Sequence, residues 1–105
     1  MGTNRRYADR IDARMSERIL QRTAETGRLD TLTDSELQLD KLPLTRAPVA
    51  RPVRAWVRFG GIPVRVDAEA CSWTSRAVAI RFRIDGHEHR CWVWAGAVEG
   101  PDDGL

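Results

Sequence analysis

The sequence predicts an α+β fold, with an N-terminal helical hairpin leading into a small antiparallel β-barrel. Three observations predict it. Apolar residues recur at helical spacing in the first part of the chain. The period switches to alternation from Val53, and the alternating part is punctuated by two glycine-bearing pairs, Gly60-Gly61 and Asp85-Gly86.

The first helix is expected over Thr3 to Thr26. Tyr7, Ile11, Met15 and Ile19 fall at successive i+4 positions, and Ala8 and Leu20 widen the stripe. Gly27 follows and suits a left-handed C-terminal cap. A second helix start is marked by Thr33 and Glu36, three residues apart as in a capping box, with Leu32 and Leu37 placed as a hydrophobic staple. This helix is expected from Asp34 to Lys41 or Leu42, ended by Pro43. Together the two make a hairpin over residues 1–42. Residues 43–52 hold Pro43, Pro48 and Pro52 and read as an extended, Pro-rich connector.

The two glycine-bearing pairs set the strand register, because each supplies the positive φ angles of a two-residue hairpin loop. Around Gly60-Gly61, Phe59 faces Ile62, Val57 faces Val64, Ala55 faces Val66 and Val53 faces Ala68, all apolar and all on one face. The other face pairs Arg58 with Pro63, Trp56 with Arg65 as a cation–π candidate, and Arg54 with Asp67 as an ion pair. Around Asp85-Gly86, Ile84 faces His87, Phe82 faces His89, Ile80 faces Cys91 and Val78 faces Val93. Arg83–Glu88, Arg81–Arg90, Ala79–Trp92 and Ala77–Trp94 occupy the second face. A slip of one residue would scramble both patterns. Ala70 to Ser75 is expected to connect the hairpins, and Gly96 to Glu99 to form a turn and a short closing strand. Residues 53–99 thus form a four- to five-stranded meander, which at this size curls into an SH3-like barrel and limits its exposed edges. Residues 100–105 are an acidic tail. The 105 residues suffice for one folded unit.

Composition narrows the function classes. The chain is 42% hydrophobic and 30% charged, an ordinary globular balance. A net charge of +2 creates no strong field toward nucleic acid or acidic membranes. No apolar run approaches the ~20 residues of a membrane span, and Met1 to Arg10 lacks the apolar region of a signal peptide. With Cys71 and Cys91 expected as free thiols, a cytoplasmic protein without membrane contact is predicted.

The most chemical-looking motif is His87-x-His89-x-Cys91 on one strand face, since alternate strand residues lie ~7 Å apart and two can share a metal. Their cross-strand neighbours are Ile84, Phe82 and Ile80, so Cys91 is expected in the core and no metal or other cofactor is assigned. A buried thiol is also a poor nucleophile. Glu88 is explained by Arg83 opposite it, and there is no phosphate loop or nucleophile elbow. The chain is therefore read as a non-enzyme with no evident small-molecule substrate.

The surface that invites a partner is the mixed face of the sheet. It gathers Trp56, Trp92 and Trp94 with Arg58, Arg65, Arg81, Arg83 and Arg90, and Trp73 is expected in a nearby loop. Two functions are compatible with these candidate binding residues. In the first, the chain is a protein-interaction module, an adaptor or assembly domain, with a protein partner or a homodimer. A homodimer would use the Tyr7–Ile11–Met15–Ile19 stripe, by domain swapping through residues 43–52; packed on the chain's own Ala77/Ala79–Trp92/Trp94 strip instead, the stripe would leave that face needing no ligand. In the second, bases stack on the rings and guanidinium groups meet phosphates, as in single-stranded nucleic-acid binders. The modest net charge favours the first.

Overall fold

The computed structural model describes residues 18–100. The Tyr7–Ile11–Met15 part of the helical stripe and the tail beyond Gly100 lie outside the described residues. The fold is α+β, with one five-stranded antiparallel sheet and little helix. Residues 18–26 are helical and are called α1; α2 is Asp34–Leu37. The strands are β1 (Thr45–Phe59), β2 (Ile62–Trp73), β3 (Ala77–Ile84), β4 (His87–Trp94) and β5 (Val98–Glu99), and a 3-10 turn at Ala95–Ala97 leads into β5.

Both hairpins have the register that the glycine pairs predict, from Phe59↔Ile62 to Val53↔Ala68 and from Ile84↔His87 to Ala77↔Trp94. Gly60, Gly61, Asp85 and Gly86 all have positive φ, as the loops require. The shared apolar face is the core: Ala55, Val57, Phe59, Val64, Val66, Ala68, Ile80, Phe82, Ile84, Cys91 and Val93 are buried together. Ile62 departs from the pattern, staying about half exposed beside the loop.

Three expectations are corrected. The helical hairpin is not formed, because α2 is a single turn. Its start is as read, with the Glu36 amide donating to Thr33 Oγ1 and the Thr33 amide to Glu36 Oε1. It stops where Gln38, not a glycine, turns left-handed at φ 51°. Gly27 in turn is no left-handed cap. Residues 28–32 run extended instead, and Leu29 bridges Phe59.

The sheet is not a closed barrel. Its order is β4-β3-β2-β1-β5, so β4 and β5 are its two ends. Val98 and Glu99 pair with Ala55 and Arg54 of β1, not with β4. The seam is spanned by residues 28–32. Arg58 C=O accepts from the Asp30 amide and Arg28 C=O from the Gly60 amide, each at 2.8 Å. On the β4 side, Trp92 C=O accepts from the Leu32 amide at 3.0 Å, and the Trp92 amide donates to Thr31 Oγ1 at 2.9 Å. One short segment therefore ties both sides of the gap.

The third correction concerns the strand ends. β1 begins at Thr45, within the segment read as a connector, and β2 runs to Trp73. The β1–β2 pairing jumps from Arg46↔Ser72 to Arg51↔Ala70, a bulge that absorbs Pro48. Pro52 is tolerated because alternation from the Gly60-Gly61 loop turns its nitrogen toward the outer edge of β1, away from β2. The link between hairpins shrinks to residues 74–76, where the buried Thr74 accepts from the amides of Arg76 and Ala77 through Oγ1.

Candidate functional site

Sheet curl and the seam segment bring together residues from strands that are not neighbours. Trp56 on β1 and Trp92 and Trp94 on β4 line one groove of about 380 Å³, together with Arg58, Pro63, Ala97 and the seam residues Asp30, Thr31 and Leu32. The groove opens beside Trp56 and Val57, the stretch of β1 between the residues paired to β5 (Arg54, Ala55) and those bonded to the seam (Arg58, Phe59). Trp56 is 48% exposed and Trp94 45%, so large aromatic surfaces face the opening. Trp92 is half-buried, its backbone held by Thr31 and Leu32.

The helix does not cover these rings with any of its described residues. Leu20 is buried against the opposite, apolar face with Val57 and Phe59, and Ala24 packs beside it. Of the two described stripe residues, Ile19 is 57% exposed, and Leu20, which widens the stripe, is the buried one. Among its described residues, the buried side of α1 falls on the Leu20 flank of the predicted stripe.

The other candidate residues separate. Arg65 does not stack on Trp56; it forms an ion pair with Glu99, because β5 delivers a carboxylate beside β1. Arg81 pairs with Glu69 at 3.0 Å, which raises its pKa through the hydrogen bond and charge of that carboxylate. Arg90 pairs with Glu88 at 2.9 Å, displacing the expected Arg83–Glu88 contact in favour of a partner on the same strand. Arg54–Asp67 forms as expected at 3.3 Å. Arg81 and Arg83 line a separate pocket of about 410 Å³ with Asp67, Glu69 and Glu88, so its walls carry both signs of charge. Trp73 is the end of β2, not a loop residue, and lies under the Arg51 guanidinium at 5.3 Å. The predicted Trp/Arg surface therefore separates into an aromatic groove lined also by Arg58, and arginines elsewhere, of which Arg65, Arg81 and Arg90 are ion-paired.

Of the histidine–cysteine motif only Cys91 is in the core; His89 is half-buried and His87 exposed. His89 stacks on Phe82, with ring centroids 5.4 Å apart, and meets Phe59 edge-on at 5.9 Å. Burial pushes the Cys91 thiol up to about 11, far from the thiolate that metal binding or nucleophilic attack needs. Among the described residues no group of three metal-ligating side chains converges.

Sequence reasoning missed Asp30, Thr31, Leu32 and Ala97. Thr31 and Asp30 precede the capping box and carry no periodic signal of their own. Their role follows from the seam, which no local pattern announces.

Comparison of the chain with family models, with curated proteins and with solved structures finds no match in any of the three. The functional reading rests on the site itself.

Proposed function

We propose that this chain is a non-enzymatic protein-interaction module that docks an extended, apolar segment of a partner protein in the Trp56–Trp92–Trp94 groove. The observation that carries the reading is the convergence of three indoles from β1 and β4 on one opening, two of them about half exposed. Exposed tryptophan gathered in a groove is the kind of surface that anchors a partner's side chains, because each ring loses much apolar area to water-free contact. Pro63 and Leu32 extend the apolar lining, while Asp30 and Arg58 supply charged groups to it. The strand order and the 3-10 turn into β5 support an SH3-like arrangement left open at the seam. A reducing compartment such as the cytoplasm suits the two free thiols and belongs to the same proposal. No helix among the described residues is long and apolar enough to cross a membrane.

Single-stranded nucleic acid is the second reading, favoured by Arg58 standing beside stackable rings. It is the weaker one, because Arg54, Arg65, Arg81 and Arg90 are each matched by a carboxylate. The test selects binders from a displayed library of extended peptides and measures them by tryptophan fluorescence. A single-stranded oligonucleotide is titrated in parallel. Apolar peptides should bind, and Trp94→Ala should weaken them by about tenfold or more with little salt dependence. Failure to select any peptide that depends on Trp56 or Trp94 overturns the proposal. Salt-sensitive oligonucleotide binding that requires Trp92 would move the assignment to the second reading.

A further inference from the structure

We infer that the outer edge of β4 at Glu88–Arg90 is a self-association site, which pairs antiparallel with the same edge of a second copy of this chain. His87, His89 and Cys91 face Ile84, Phe82 and Ile80 across the two-residue loop, so their amides and carbonyls point toward β3. Trp92 directs its amide and carbonyl the other way, to Thr31 and Leu32. By the two-residue period, the amides and carbonyls of Glu88 and Arg90 also point outward. The seam segment stops at Trp92, and no other described strand lies beside β4 on that side. Glu88 and Arg90 therefore present donors and acceptors in the geometry of a ladder.

The side chains choose both the partner and the register. Antiparallel pairing about a twofold axis through His89 places Glu88 opposite Arg90 of the second copy, and Arg90 opposite its Glu88. Both are outward-facing residues, so each pair exchanges two backbone hydrogen bonds. Shifting the register by two residues in one direction sets Glu88 against Glu88, and in the other Arg90 against Arg90 and Glu88 against the occupied Trp92. Only the His89-centred pairing is complementary in charge. Glu88 and Arg90 already lie on one face, 2.9 Å apart as an ion pair, and the Arg90 side chain is 70% exposed. In the dimer, each carboxylate lies between its own Arg90 and that of the second copy, a closed ring of four charges. Few residues contribute, so association is concentration-dependent, not obligate. Charged edge residues discourage indiscriminate pairing. Here they admit one register and exclude its neighbours.

Sedimentation velocity over roughly a hundredfold range of concentration tests this on the intact chain. The wild type should shift from monomer toward dimer. Glu88→Arg and Arg90→Glu should each weaken self-association by about tenfold or more, since each sets like charges opposite one another. An equimolar mixture of the two single variants should dimerise, because the paired arginines of one copy then meet the paired glutamates of the other. The double variant E88R/R90E should self-associate like the wild type. Circular dichroism confirms that each variant is folded, and Trp94→Ala should leave the dimer intact, which separates this edge from the groove. A chain that stays monomeric throughout the range, or a dimer indifferent to the charge reversals, overturns the inference.

Discussion

Gly27 and Gly60 touch backbone to backbone: a Cβ built on Gly27 would lie 2.7 Å from the Gly60 Cα. That contact lets the chain leave α1 and enter the seam beside the first hairpin loop. Backbone has no flexible end to swing aside, so Gly27→Ala should destabilise the protein by ~1–3 kcal/mol through overpacking. Gly96→Ala is the control, because an added Cβ there meets nothing within 4 Å and its φ is not positive. Equal urea midpoints for the two variants would show that the seam can open to accept the methyl group.

The register has a direct energetic consequence at two adjacent residues. Val57 is 2% exposed in the core, whereas Arg58 is exposed on the outer face. Val57→Asp buries an unpaired carboxylate and should leave the domain unfolded, while Arg58→Asp should change stability by only a few tenths of a kcal/mol. Thermal unfolding followed by circular dichroism distinguishes them.

The capping box on α2 is compact enough to test at one residue. Thr33→Ala removes the acceptor of the Glu36 amide and should cost about 1 kcal/mol, with Thr33→Ser restoring most of it. Hydrogen exchange at Glu36 should speed up in the alanine variant and not in the serine variant.

Cys91 makes stability depend on alkaline pH. Its folded pKa of about 11 lies above the ordinary 9.0, so the neutral thiol is favoured by folding. The contribution is fully present below pH 9.0 and is lost as the pH climbs toward about 11, because the unfolded chain ionises first. Between about pH 8.5 and pH 10 the wild type should lose roughly 1 kcal/mol that Cys91→Val does not lose. Urea denaturation at the two pH values measures the difference.

The strand pairing was legible because it is local. Gly60-Gly61 and Asp85-Gly86 each dictate a tight loop, and alternation does the rest, so every partner from Val53 to Ala68 and from Ala77 to Trp94 follows by counting. The capping box was legible for the same reason. What could not be read are contacts between elements far apart in the chain. Leu29 sits beside Phe59 and Thr31 beside Trp92, and neither residue belongs to a periodic run. Among the described residues, α1 buries Leu20 in the core cluster and not on the tryptophan strip that the stripe was matched to. Composition matches that stripe to an apolar strip, whereas Gly27 and the seam decide where α1 can go. Side-chain partners went astray where a closer competitor existed: Arg65 took Glu99 and Glu88 took Arg90. On the candidate surface Trp56, Trp92 and Trp94 line one groove, while Trp73 and the ion-paired arginines lie elsewhere.

The seam has a kinetic meaning as well. Each hairpin brings together residues that are near neighbours in sequence, so the loss of chain entropy on forming it is small. The bond between Thr31 and Trp92 closes a loop of 61 residues, and it can form only once β4 is in place to receive it. The expected order is that the sheet assembles first as a ribbon and the N-terminal segment docks afterwards as a latch. The Trp92 amide reports that last step, and its protection from exchange dates the completion of folding apart from the hairpins that precede it.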